Sequence, residues 1–222
     1  MDLFDVSPDK LTNTYQAVDT CDHADIRNLK EAEQEVDGIY GLEPGGYFLF
    51  FGAIEPKKNV GRLIEAYLSA KVQAKLVIVG ALAWKSKEEM RLLESISKQD
   101  SNISRNIKII DYVPRTFLMS LIRCAKAVVF PSLYEGFGLP LLEAMQLGVP
   151  TLCSSEGSLP EIAGDASVMV DPYNVTEISR NLERLDRDSD LRSALVTRGF
   201  GRAEKFSAES YRCALQKMYD LV

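Results

Sequence analysis

AVVFPSLYEGFGLPLLEAM, Ala127 to Met145, is the stretch that decides the fold. Ala127–Phe130 is a short apolar run of strand character. Gly136 and Gly138 then sit between two carboxylates, Glu135 and Glu143, and Pro140 opens a helix running toward Gly148. Glycine lets the backbone approach a ligand where a Cβ would collide. Proline in the first helical turn forfeits no hydrogen bond, because the early N–H groups have no partner inside the helix. Those unpaired N–H groups and the helix dipole make such a start an anion site. Glu143 is expected in the first turn, facing the same crevice, where a carboxylate accepts hydrogen bonds from vicinal hydroxyls. It would equally complement the helix dipole.

The same alternation extends on both sides of this stretch. Tyr47–Gly52, Lys75–Gly80, Ile107–Ile110, Val149–Cys153 and Val168–Val170 read as buried strands. Helices are expected at Asn59–Ala70, with Asn59 as N-cap and Leu63, Ile64 and Tyr67 on one face, at Ser86–Ser97 and at Arg115–Cys124. LPEIAG, before Val168, reads as a short turn supporting the crevice wall, with Glu161 able to orient a neighbour. Strands alternating with helices over short links imply a doubly wound α/β fold with a parallel sheet covered on both faces. Ligands in such sheets bind at the carboxyl ends of the strands, near the reversal of strand order. EPKKN, Glu55–Asn59, leaves the first strand at that edge and brings Lys57 or Lys58 toward the glycine loop. Taken alone, a lysine pair before a helix also fits a solvated turn.

The ends are helical or irregular. Met1–Gly46 is acidic, poor in apolar runs and expected to build little core, with a helix near Ile26–Val36. After Asn174 a capping box to Glu177 starts a helix with Ile178, Leu182 and Leu185 on its apolar face. Two more helices follow at Ser189–Lys205 and Ala208–Leu221, the last with a stripe of Tyr211, Leu215, Met218 and Tyr219.

Composition excludes several partners. The 222 residues carry 32 acidic and 26 basic side chains, a net charge of −6, which argues against nucleic acid as a partner. No apolar run approaches the ~20 residues of a membrane helix. The acidic start MDLFDVSPDK lacks the apolar core of a signal peptide. Cys21, Cys124, Cys153 and Cys213 are scattered without a CxxC pair, which fits reduced thiols in the cytoplasm. DRDSD, Asp186–Asp190, reads as a solvated link between helices. CDHAD, Cys21–Asp25, lacks the separated ligand pairs of a zinc site. Trp84 is expected to pack within its loop.

FFGAIEPKKN, KLVIVG, DYVP, VVFPSLYEGFGLPLLEAMQLGVP and SLPEIAGDAS, followed by the closing helices, occur in a shared order and spacing. In these blocks, and above all in the E-x7-E element of Glu135 and Glu143, the chain resembles the C-terminal half of a retaining GT-B glycosyltransferase of family 4, group 1. The resemblance implies a Rossmann-like nucleotide-sugar-binding domain over residues 47–222, with residues 1–46 as the interdomain connection. It implies that Glu143 holds the ribose of a nucleoside-diphosphate sugar and Glu135 the sugar being moved. Gly136, Phe137, Gly138 and Leu139 would meet sugar and diphosphate through the main chain, and Lys58 would neutralise the leaving diphosphate. Ala53 stands where many members have arginine, with Lys57 as the nearest substitute. Tyr112 and Val113 fall where members cradle the base, after Asp111 in place of a common glycine.

The resemblance further implies that no metal or other cofactor is needed, and that an N-terminal acceptor-binding domain completes the site in cis or in trans. The lead-in DVSPDKLTNTYQAVD resembles the family's connection, so a truncated, inactive half is expected, with Tyr211, Leu215 or Tyr219 exposed on its last helix. Members with EPKKN-type loops resemble mannosyltransferases, which points to GDP-mannose and to a glycan or lipid acceptor. The expected location is the cytoplasm, with peripheral contact at the inner membrane face where the acceptor is membrane-associated. A non-catalytic nucleotide-sugar-binding regulatory module, or a scaffold without ligand, stays open beside this reading.

Overall fold

The computed structural model describes residues 11–18, 27–97 and 106–220. Six strands form one sheet: β1 (Tyr47–Phe51), β2 (Lys75–Val79), β3 (Ile107–Ile110), β4 (Ala127–Phe130), β5 (Thr151–Ser154) and β6 (Val168–Val170). All pairings are parallel, in the order β3-β2-β1-β4-β5-β6. β1, β4 and β5 are buried at every position, which explains their continuous apolar runs: a parallel strand covered on both faces has no polar side. The chain winds outward from β1 to β3, returns to β4 beside β1, and winds the other way. The loops after β1 and β4 therefore leave the carboxyl edge as neighbours.

Helices cover both faces. α1 (Leu29–Tyr40), α2 (Val60–Ser69), α3 (Ser86–Ser97) and α4 (Arg115–Arg123) precede β4. α5 (Leu139–Gln146), α6 (Leu159–Ala163), α7 (Val175–Arg187), α8 (Ser189–Glu204) and α9 (Ala208–Tyr219) follow it. The main core joins the sheet to α1, α2 and α7 through residues such as Val36, Leu63, Ile64, Phe48 and Leu182. A second apolar cluster, with Leu141, Leu142, Cys153, Leu159, Ile162 and Phe206, underlies α5 and α6. No helix among the described residues is long and apolar enough to cross a membrane.

Several expectations change. The lead-in contributes to the core after all, since Val18, Ala32, Val36 and Leu42 are buried. Its helix runs from Leu29 to Tyr40, started by a capping box between Asn28 and Glu31, while Ile26 and the CDHAD cluster lie outside the described residues. LPEIAG is a helix, not a turn: Arg202 on α8 donates to the carbonyls of Glu161 and Ile162 and so satisfies the end of α6. Only half of the box at Asn174 forms. Its side chain accepts from the Glu177 N–H at 3.0 Å, but its own N–H donates to the Asp171 carbonyl instead. Trp84 is 70% exposed and meets the Lys85 ammonium 4.7 Å from its ring centroid, rather than packing within its loop. The last helix is as expected: α9 has no buried residue, Tyr219 is exposed, and Tyr211, Leu215 and Met218 are partly exposed.

DRDSD is not merely a solvated link. The Asp186 side chain is 5% exposed, accepts from Lys126 Nζ at 2.6 Å and from the Gln73 N–H at 2.8 Å, and so fastens α7 to the start of β4. Asp188 caps α8 by accepting from the Leu191 N–H. Burial alone would raise the Asp186 carboxyl, but hydrogen bonds from Lys126 and the Gln73 and Ala74 amides outweigh it and hold the group below its ordinary 3.8. A depressed folded value stabilises the fold above the ordinary carboxylate range and loses that contribution as pH falls below it. Asp186→Asn, which leaves Lys126 unpaired, is expected to cost about 3 kcal/mol at neutral pH. Thermal melts below pH 3.8 should fall more steeply for the native chain than for the variant; parallel pH profiles would contradict this role.

Candidate functional site

The site begins where β1 ends. Pro56–Lys58 form one 3-10 turn, and Asn59 follows in the left-handed region (φ 61°) before α2. Asn59 occupies the N-cap position as expected, but its side chain does not cap. Its Nδ2 donates to the Pro131 and Pro172 carbonyls, both at 2.8 Å, and its Oδ1 accepts from Arg62 at 2.9 Å. A single buried amide thus ties together the loops after β1, β4 and β6. The Leu133 N–H adds a main-chain bond to the Lys57 carbonyl at 2.7 Å.

These ties bring Lys58 and Glu135 together. Lys58 Nζ lies 2.6 Å from Glu135 Oε1, and the two side chains are only 13% and 12% exposed. Ser132, fully buried, donates to the same Oε1 at 2.9 Å. Two charges so withdrawn from water persist because each satisfies the other. Lys57 is not part of this contact; it is half-exposed and pairs with Glu55 at 3.2 Å.

Gly138 ends the glycine loop at φ 114°, a conformation that favours glycine, and a Cβ there would come within 2.8 Å of Leu159 Cδ2, which would have to shift. Gly138 is the N-cap and Leu139 the first helical residue. Pro140 therefore takes the second position and Glu143 lies beyond the first turn, contrary to expectation. Glu143 is held from another element: Arg115, in the first turn of α4, contacts its Oε1 at 3.1 Å. The amides of Phe137, Gly138 and Leu139 follow Glu135 in the chain and lead into α5. At the end of β3, Tyr112 is 82% exposed and Val113 is buried. Among the described residues, no group of three or more His, Cys, Asp or Glu side chains is arranged to hold a metal ion.

The lead-in also reaches the site, which sequence reasoning missed. A cavity of about 580 Å³ is bounded by Asn13, Tyr15 and Gln16 on one side and by Gly136, Phe137 and Glu161 on the other. Tyr15 donates its hydroxyl to Glu161 Oε1 at 2.8 Å, and this bond, with some burial, pushes the phenol above its usual range. The Phe206 ring meets Tyr15 edge-on at 5.3 Å and Phe137 at 5.7 Å, so the lead-in, the glycine loop and the end of α8 share one aromatic row. The contact of Arg115 with Glu143 and the bonds of Asn59 to the Pro131 and Pro172 carbonyls were also missed; these partners lie 28, 72 and 113 residues away in sequence.

O-antigen chain mannosyltransferase B of Escherichia coli is 35% identical over 187 residues, 82% of this chain and 48% of that protein. The serotype-specific mannosyltransferase WbdA of Escherichia coli is 35% identical over 210 residues, 91% of this chain and 25% of that protein. The chain thus spans about half, or less, of the length of these relatives. Among solved structures, Alr3699/HepE of Anabaena in complex with UDP and glucose matches with a TM-score of 0.77 at 15% identity, over 89% of this chain and 54% of that one. Sucrose-phosphate synthase of Thermosynechococcus elongatus matches with a TM-score of 0.71 at 22% identity, over 88% of this chain and 50% of that one. At such identities the likeness bears on the fold, a Rossmann-like sheet of the GT-B type. The profile described as "Glycosyl transferases group 1" covers residues 34–202, well over half of the sequence, and the chain belongs to that family.

Proposed function

We propose that this chain is the donor-binding half of a retaining glycosyltransferase that takes a nucleoside-diphosphate sugar, with GDP-mannose as the favoured donor. The observation that carries the reading is the Lys58–Glu135 pair, 2.6 Å apart at the strand-order reversal and beside the amide-rich start of α5. When the bond between the anomeric carbon and the diphosphate breaks, negative charge grows on the diphosphate. In this reading Lys58 and the amides of Phe137, Gly138 and Leu139 receive that charge, in place of a metal ion. Glu135 accepts hydrogen bonds from the transferred sugar and Glu143 from the ribose. Tyr112 and Val113 border the base, and Lys57 supplies further positive charge near the phosphates.

Mannose as the transferred sugar is supported by the names of the Escherichia coli relatives. An N-terminal acceptor-binding domain, in cis or in trans, supplies the opposite wall, and the acceptor is a glycan or a lipid-borne chain at the inner membrane face. Without that domain the chain binds donor but transfers little.

Calorimetric titration with GDP, UDP and their sugars tests the donor site. Donor binding should be lost about 10- to 100-fold in Glu143→Ala, which removes a charged acceptor of two hydroxyl hydrogen bonds. No binding of either nucleotide, or equal binding by the variant, would sink the reading. With the acceptor half supplied, Lys58→Ala should lower kcat by about 10²- to 10³-fold with little change in KM, as for loss of a group that stabilises developing charge. The product should keep the donor's anomeric configuration by NMR; inversion would refute the retaining chemistry.

A further inference from the structure

We infer that Ser158 is a positioning residue of the donor site, setting two main-chain N–H groups of the glycine loop toward the ligand. The inference rests on the donor-site reading above. Ser158 Oγ lies 2.9 Å from the Glu135 carbonyl oxygen and 2.8 Å from that of Phe137, the carbonyls flanking Gly136. The described residues contain no cis peptide bond. In a trans peptide the carbonyl and the following N–H point in opposite directions. Fixing the two carbonyls on Ser158 therefore turns the N–H groups of Gly136 and Gly138 away from it. Among the described residues neither N–H meets an acceptor.

The bed beneath the loop is shaped for this role. Gly157 has a φ of 65°, and a Cβ on it would stand 3.3 Å from both the N and the O of Glu135, so the turn before α6 lies directly against the Glu135 backbone. Leu159 fills the space that a side chain at Gly138 would need. Ser154, at the end of β5, accepts from the Glu156 N–H at 2.9 Å and holds the turn itself. One hydroxyl proton serves two carbonyls, so Ser158 bridges the two peptides rather than capping either alone. The result is a pair of N–H donors, alternate along the chain, fixed before the ligand arrives. Oxygens of the diphosphate, the most charged part of the donor, are their natural acceptors.

The test compares Ser158→Ala and Ser158→Thr with the native chain by titration with GDP and GMP, and in parallel with UDP and UMP. Ser158→Ala is expected to weaken the diphosphate about tenfold, the size of one lost charge-assisted hydrogen bond, and the monophosphate less than about twofold; threonine should restore native binding. A serine that only holds the fold would weaken both ligands alike and lower the melting temperature, which would overturn the inference. So would unchanged diphosphate binding in the alanine variant while the native chain binds, an outcome that leaves the donor-site reading intact. If the native chain binds neither diphosphate, that reading falls. The Gly136 and Gly138 amide resonances then decide: a shift with pyrophosphate that is lost in Ser158→Ala supports Ser158, and no shift in the native chain overturns it.

Discussion

The reversal of strand order between β1 and β4 places two loops against each other, and the contact between Lys58 and Glu135 is what they are positioned to make. Neither loop carries a complete site. The first brings a cation, the second a carboxylate and a run of amides, and the Asn59 side chain holds both, together with the loop after β6, in one register. Because both charged groups are largely withdrawn from water, removing one partner exposes the other to the full cost of an unpaired buried charge. In the proposed function the donor resolves this by substitution: its diphosphate takes over the lysine and its sugar hydroxyls take over the glutamate. In that reading the ion pair holds Lys58 and Glu135 side by side until the donor takes over both partners.

Behind that pair lies a second layer that shapes the glycine loop. Arg202 satisfies carbonyls at the end of the short helix α6, and the leading residues of that helix form the surface on which Glu135, Phe137 and Gly138 rest. The lead-in closes the same region from the other side through Tyr15, whose hydroxyl and ring engage Glu161 and Phe206. Segments distant in sequence thus converge beneath a loop of four residues. In the proposed function this is how the glycine-loop amides are held in place for the donor.

What the sequence disclosed was what has a local signature. Continuous apolar runs announced strands buried on both faces, and the glycines and proline after β4 announced a tight loop into a helix. The spacing of Glu135 and Glu143 marked the residues worth following. The remainder depended on pairings that leave no local trace. Nothing around Asn59 distinguishes a side chain that caps its own helix from one that binds carbonyls 72 and 113 residues away. Arg115 beside Glu143, and Lys126 beneath Asp186, likewise arise only when the sheet assembles. The misplacement of Glu143 in the first turn has a smaller cause: Gly138, not Leu139, is the N-cap, which shifts every position after it.

The most direct measurement is a crystal structure of this chain with GDP-mannose. The account predicts the diphosphate against Lys58 Nζ and the start of α5, mannose hydroxyls on Glu135, the ribose on Glu143, and the 2.6 Å contact between Lys58 and Glu135 opened or shared with the ligand. A nucleotide sugar bound elsewhere, or bound with that pair intact and touching neither residue, would contradict it.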